Sequence, residues 1–120
     1  MDLTGLFASS SEKINYSQGD TIFEAGDPGD AMYVVLEGRV DIRLGDRTLN
    51  TIGPGEVFGE MALIDSKPRS AAAVAAADSV VAAVDQDRFM FMVQQTPFFA
   101  IHMMQVLAER IRRGTTSENE

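Results

Sequence analysis

The turn signals of this chain recur at nearly even intervals, and that spacing restricts the folds open to it. Gly19-Asp20, the cluster Gly26-Asp27-Pro28-Gly29-Asp30, Gly38, Gly45-Asp46 and Gly53-Pro54-Gly55 each separate short apolar runs. Glycine supplies positive φ, proline presets φ, and aspartate bonds nearby backbone, so such clusters reverse the chain. Short runs at this spacing indicate an all-β sandwich or barrel. Strands are expected near Lys13–Tyr16, Thr21–Phe23, Ala31–Glu37, Arg39–Leu44, Thr48–Ile52, Val57–Phe58, Ser70–Ala76 and Val80–Val84. In the fourth, Val40, Ile42 and Leu44 alternate with Asp41 and Arg43, which are expected to face water. Residues Ala71–Ala83 are alanine-rich, and propensity alone favours helix there. Val74, Val80, Val81 and Val84, the Asp78-Ser79 turn signal and the earlier strands' need for partners argue for strand instead.

From Asp85 onward the pattern changes to helical. Asp85 is placed to cap a helix over Gln86–Gln95. Thr96 and Pro97 then open a second helix, with proline at its first position. On a helical wheel, residues 97–113 carry a polar arc of His102, Gln105, Glu109, Arg112 and Arg113, with His102 expected to be solvated or capping. The apolar residues spread over roughly 200°, about twice what a surface helix needs. Helix 97–113 is therefore expected to serve two surfaces: its own β-body, and a second copy of the chain or an effector. Gly114 is expected to end it, giving a domain of residues 1–113 and a polar tail of residues 114–120. At the other end, Leu3, Leu6 and Phe7 suggest a helical turn, and Ser9–Ser11 a loop.

At 120 residues the chain is expected to be one domain. Its net charge of −8 argues against nucleic acid or an anionic membrane as partner, since both demand a basic face. Without cysteine there is no disulfide or thiolate chemistry, and a single histidine gives no multi-histidine metal site. No apolar run approaches the ~20 residues needed to span a bilayer. The start, MDLTGLF, lacks the basic and apolar regions of a secretory signal, so a cytoplasmic module is expected. The Asp27/Asp30 pair is read as a turn rather than a calcium loop. No Ser-His-Asp or paired-carboxylate arrangement stands out, so no enzyme activity is expected. The methionines read as core filler, with Met103 and Met104 suited to an adaptable interface.

One stretch carries a concentration of chemistry: Phe58 to Ala72, FGEMALIDSKPRSAA. Gly59 lets the backbone approach a ligand closely. Residues Glu60–Ile64 form a helical turn whose first N–H groups are unpaired and favour phosphate. Arg69, after Pro68, offers a planar fork of donors that matches phosphate oxygens. Glu60 would repel a phosphate, but a carboxylate accepts hydrogen bonds from hydroxyls, so it suits a sugar. The stretch asks for a phosphate and a ribose-like diol held close together.

This segment, Gly59-Glu60-x-Ala62-Leu63 followed by Pro68-Arg69-Ser70-Ala71, closely resembles the phosphate-binding cassette of cyclic nucleotide-binding domains. Such domains occur in regulatory subunits of cyclic-AMP-dependent kinase, bacterial catabolite activators and cyclic-nucleotide-gated channels. Phe23–Asp27 and Met32–Gly38 are similar to that family's early strands, so the resemblance covers most of the chain. It implies a mainly β fold: an eight-stranded antiparallel, jelly-roll-like β-roll with a short N-terminal helical turn and two C-terminal helices.

The same resemblance implies a binding module whose ligand is cyclic AMP, favoured here, or cyclic GMP, with no other cofactor and no metal. By the same resemblance Arg69 pairs with the cyclic phosphate and Glu60 accepts the ribose 2′-hydroxyl. Gly59, Met61, Ala62 and Leu63 line the sugar-phosphate, and Ser70 and Ala71 lie beside the phosphate. The step from Glu60 to Arg69 equals that of the kinase-type cassette. The activators carry a base-contacting Thr-Ser pair on their long C-terminal helix; Thr116-Ser117 resembles it in sequence, but Gly114 just before is expected to break the helix and argues against the match. Two other readings share the barrel outline: a protein-interaction module with a silent pocket, and a cupin-like metal enzyme, for which the histidines are lacking.

Overall fold

The computed structural model describes Phe7 and residues 12–117, with side chains of the last helix described through Arg112. The expected turn at Leu3 and Leu6 and the Ser9–Ser11 loop lie outside the described residues. Phe7 is helical and fully buried. The elements run β1 (Glu12–Tyr16), β2 (Thr21–Phe23), β3 (Ala31–Glu37), β4 (Val40–Leu44), β5 (Arg47–Ile52), β6 (Val57–Phe58), α1 (Glu60–Asp65), β7 (Ala72–Ala75), β8 (Ser79–Asp85), α2 (Gln86–Gln95) and α3 (Pro97–Ser117). The chain divides into two compact units, one of residues 2–86 and the other of residues 87–120.

The first unit is a roll of two antiparallel four-stranded sheets, ordered β1-β8-β3-β6 and β2-β7-β4-β5. Strands distant in sequence lie side by side, as when Tyr33 faces Phe58 on one side and Ala83 on the other. The core comes from both sheets: Val35, Phe58 and Val81 from one, and Phe23, Val40, Ile52 and Ala73 from the other. Alternating residues of a strand point to opposite faces, so each contributes every second side chain. The alanine-rich stretch is β7 and β8, as its valines argue. Ala73 and Ala82 are fully buried, and their small side chains let strands approach closely.

In β4 the simple alternation fails at its end. The ladder with β5 slips between Ile42 and Arg43. Leu44, the last residue of the strand, is 47% exposed, and Asp41 and Arg43 are half-buried like Ile42 between them rather than facing water fully. The extra residue of the slip is Leu49 on β5, while β4 pairs with β7 without a break from Val40 to Arg43.

In the second unit α2 hands over to α3 through a tight turn. Thr96 N–H donates to Met92 O (2.9 Å), and Thr96 O accepts from Phe99 N–H (2.9 Å). The Phe89 and Phe99 rings meet edge to face, 5.6 Å apart at 72°. Met92, Phe99 and Met103 are buried, whereas Phe98, Ile101, Met104 and Ile111 form an exposed apolar stripe along α3. The expected break at Gly114 does not occur, and α3 continues to Ser117. A helical glycine costs only about 1 kcal/mol against alanine, too little to stop a helix of this length. His102 is half-buried rather than solvated, and burial pushes its imidazole below the ordinary value.

Candidate ligand site

The expected cassette folds as a short helix and a returning loop in the first unit. After β6, Gly59 takes a left-handed conformation (φ 78°, ψ 7°) and serves as the N-cap residue of α1. A side chain here would meet the Arg69 Nη1 atom at 2.8 Å and the Phe23 ring at 3.4 Å, so glycine is needed for space as well as for φ. Glu60 opens the helix and is fully buried, with Ala62 and Leu63 buried behind it. Its carboxylate lies near enough to favour the charge of Arg69. Met61 and Ile64 occupy the outer face of α1 and are nearly half exposed.

The helix stops at Ser66, also left-handed (φ 61°), whose N–H donates to Ala62 O (2.9 Å). Residues 67–71 then run back along the β2–β3 turn. Arg69 N–H donates to Asp27 O (2.8 Å), and Gly26 N–H donates to Arg69 O (2.8 Å). This reciprocal pair fixes the Arg69 backbone and explains why β7 begins only at Ala72, two residues later than the spacing suggests. The turn itself is tied by Glu24 N–H donating to Asp27 Oδ2 (2.9 Å). At Gly29 it approaches α1 so closely that a Cβ there would overlap the Ala62 methyl.

The Arg69 side chain is only 5% exposed. Nη1 donates to Gly59 O (2.7 Å), and Nη2 donates to Ala31 O (2.6 Å). The guanidinium carbon lies 4.0 Å from the centre of the Phe23 ring and 5.9 Å from that of Tyr33. Phe23, Tyr33 and Phe58 form one aromatic group, with Tyr33 stacked on Phe58 at 5.1 Å. Nε is buried and has no hydrogen-bond partner. Burial lowers the Arg69 pKa from its ordinary value, while Tyr33, Asp30, Asp27 and Glu60 favour its charge. Burial raises the Tyr33 phenol, and Arg69 opposes that rise.

The fold thus brings Gly59, Glu60 and Arg69 together, with Ala62, Leu63 and Ala71 buried around them. Ser70 and Met61 are exposed, and no hydrogen bond involving their side chains positions them at the cluster. The turn signals of Gly26–Asp30 mark a bend, but not that the bend grips Arg69. Phe23, Tyr33 and Ala31 read in sequence only as strand residues. The two carbonyls engage only part of the five-donor guanidinium fork.

Comparison with known proteins agrees with this geometry. The profile of the cyclic nucleotide-binding domain family matches residues 13–96. The cyclic AMP receptor protein of Thermus thermophilus is 41% identical over 104 residues, which are 82% of this chain and 48% of that protein. The cAMP-dependent protein kinase regulatory subunit of Eremothecium gossypii is 46% identical over 88 residues, 73% of this chain and 19% of that one. The chain therefore spans half or less of the length of these relatives. The crystal structure of the Thermus thermophilus catabolite activator protein superposes with a TM-score of 0.83 at 38% identity, over 93% of this chain and 55% of that one. The two-sheet roll, the cassette and the match over residues 13–96 together make this chain a member of the cyclic nucleotide-binding domain family.

Proposed function

We propose that this regulatory domain is a sensor that binds cyclic AMP, with the cyclic phosphate on Arg69 at the start of α1 and the ribose 2′-hydroxyl on Glu60. The observation that carries this reading is Arg69: nearly buried, fixed through its backbone and both terminal nitrogens, and left with an unpartnered Nε. A buried donor without an acceptor costs free energy that an arriving phosphate oxygen recovers. The names of the two relatives, a cyclic AMP receptor protein and a cAMP-dependent kinase regulatory subunit, support cyclic AMP over cyclic GMP. Charge-assisted bonds of this kind contribute about 1.5–3 kcal/mol each, so micromolar affinity (about −8 kcal/mol) is within reach. The module has no chemistry to perform on its ligand and acts by binding.

Occupancy is read out through α2 and α3, whose exposed Phe98, Ile101, Met104 and Ile111 offer a surface for a second copy or an effector. Such a response requires different ligand affinity in two arrangements of the helices. Chemical shifts of Ala100–Ile111 that ignore saturating cyclic AMP would remove it. The net charge of −8 supports a module that does not itself hold nucleic acid. A cytoplasmic setting suits a sensor of an intracellular nucleotide.

The exposed apolar stripe also favours a second reading, an interaction module whose pocket is silent. Thermal unfolding with cyclic AMP, cyclic GMP, zinc or magnesium separates the readings. Ligand at 100 times its dissociation constant adds about 2.7 kcal/mol of stability. Stabilisation by neither nucleotide would leave the silent-pocket reading, and stabilisation by metal alone would point to the cupin-like one.

A further inference from the structure

Phe23 is a strand residue with no polar atom, yet its ring faces the charged group of the proposed site. The Arg69 guanidinium carbon stands 4.0 Å from the ring centre, well inside the ~6 Å at which a cation is attracted by an aromatic face. The ring is itself held: Phe58 and Tyr33 each lie 6.1 Å from it, and Phe23 is part of the core. The guanidinium is bounded on other sides by Gly59 O and Ala31 O. These contacts come from three separate parts of the chain, and together they leave the planar group little freedom. A cation so confined loses less freedom when an anion arrives, which favours binding.

We propose that Phe23 is a positioning residue for the phosphate site: its face holds the Arg69 guanidinium in the orientation that receives the anion. This deepens the reading of Arg69 given above and rests on it. The carbonyls alone fix two nitrogens in a plane but allow the group to tilt about the line joining them. The ring beneath removes that tilt. An aliphatic residue of similar volume would fill the core without providing the quadrupole that attracts the cation.

The test uses Phe23→Leu and Phe23→Tyr in the full chain, with two independent measurements. The first is the Arg69 Nε–H resonance of the ligand-free protein. A proton held over a ring is shifted upfield, and the shift should vanish in Phe23→Leu and persist in Phe23→Tyr. An Nε–H at its ordinary position in the unmodified protein overturns the stack, whatever the protein binds. The second is cyclic AMP affinity by calorimetry. Phe23→Leu should weaken it about three- to tenfold, Phe23→Tyr by less than about twofold. In an Arg69→Ala background, Phe23→Leu should cause no further loss. An equal loss in that background means that Phe23 acts on the pocket generally, and overturns the proposal. Absence of binding by the unmodified protein would instead reject the ligand reading, and the resonance would still decide whether the ring holds the guanidinium. Should Phe23→Leu fail to fold, a tyrosine variant that loses as much affinity as Arg69→Ala also overturns it.

Discussion

Two buried polar groups sit against glycines in this domain, and they are finished differently. Ser79 is 3% exposed and packs on Gly38, where a side chain would overlap the hydroxyl. Its Oγ accepts from Arg39 N–H (3.2 Å), and its O–H lies within reach of Ala77 O (2.8 Å) and Arg39 O (3.1 Å). Its single donor and one of its acceptor lone pairs are engaged inside the protein. Arg69 packs on Gly59 and is nearly as buried, yet its Nε has no acceptor. Both glycines have positive φ, 93° and 78°. The same local device, a left-handed glycine making room for a polar side chain, closes a turn in one place and holds the arginine of the proposed site in the other. Arg43 Nε is left without an acceptor as well, so what sets Arg69 apart is a left-over donor together with Gly59 and Glu60 beside it.

Substitutions at the two knots should therefore fail in different measurements. The largest effect is expected for Arg69→Ala: cyclic AMP binding should weaken by about 2–5 kcal/mol, the cost of truncating one side of a buried charge pair. A dissociation constant that stays put in calorimetry would take Arg69 out of the site and erase the distinction. Gly38→Ala should lower folding stability by about 2–4 kcal/mol, from strained φ plus overpacking against Ser79, with affinity per folded molecule retained. Urea titration measures the first and calorimetry of the folded protein the second. Glu60→Gln should cost about 1.5–3 kcal/mol of cyclic AMP affinity and much less for the 2′-deoxy analogue. Equal losses for both ligands would place the ribose elsewhere. The smallest effect is expected for Ser79→Ala, which leaves the Arg39 N–H without its acceptor and should destabilise by about 1–2 kcal/mol. If it also impaired binding, the Ser79 knot would belong to the site, and the comparison would fail.

Much of the roll was legible because its signals are local. Thr21–Phe23, Ala31–Glu37, Val57–Phe58 and Gln86–Gln95 have the bounds that turn residues and periodicity suggest. Ala72–Ala75 is a strand despite alanine's helix propensity because sheet partners outweigh a preference of a few tenths of a kcal/mol per residue. Leu44 is exposed because it ends β4 beside the Gly45-Asp46 turn, one residue past its pairing with β7, and alternation within a strand does not record where its partner stops. Gly114 carries a stop signal because glycine so often ends helices, but that tendency is weaker than the continuity of a long helix.

The candidate site divides along the same line. Gly59, Glu60 and Arg69 could be singled out because an anion fork, a sugar acceptor and a permissive turn are side-chain and backbone properties readable one residue at a time. Their surroundings were decided by tertiary structure alone. Ala31 accepts from Arg69 across 38 positions of sequence, and Phe23 reaches it from another strand. Such contacts arise when strand pairing brings distant segments together, and neither the carbonyl of an alanine nor the face of a phenylalanine carries a mark of that role in sequence. The chain itself determined which groups could meet a cyclic phosphate. Only the packed sheets decided that the arginine would be buried, stacked on a ring and left with a donor to offer, because burial and hydrogen-bond satisfaction are properties of the assembled neighbourhood.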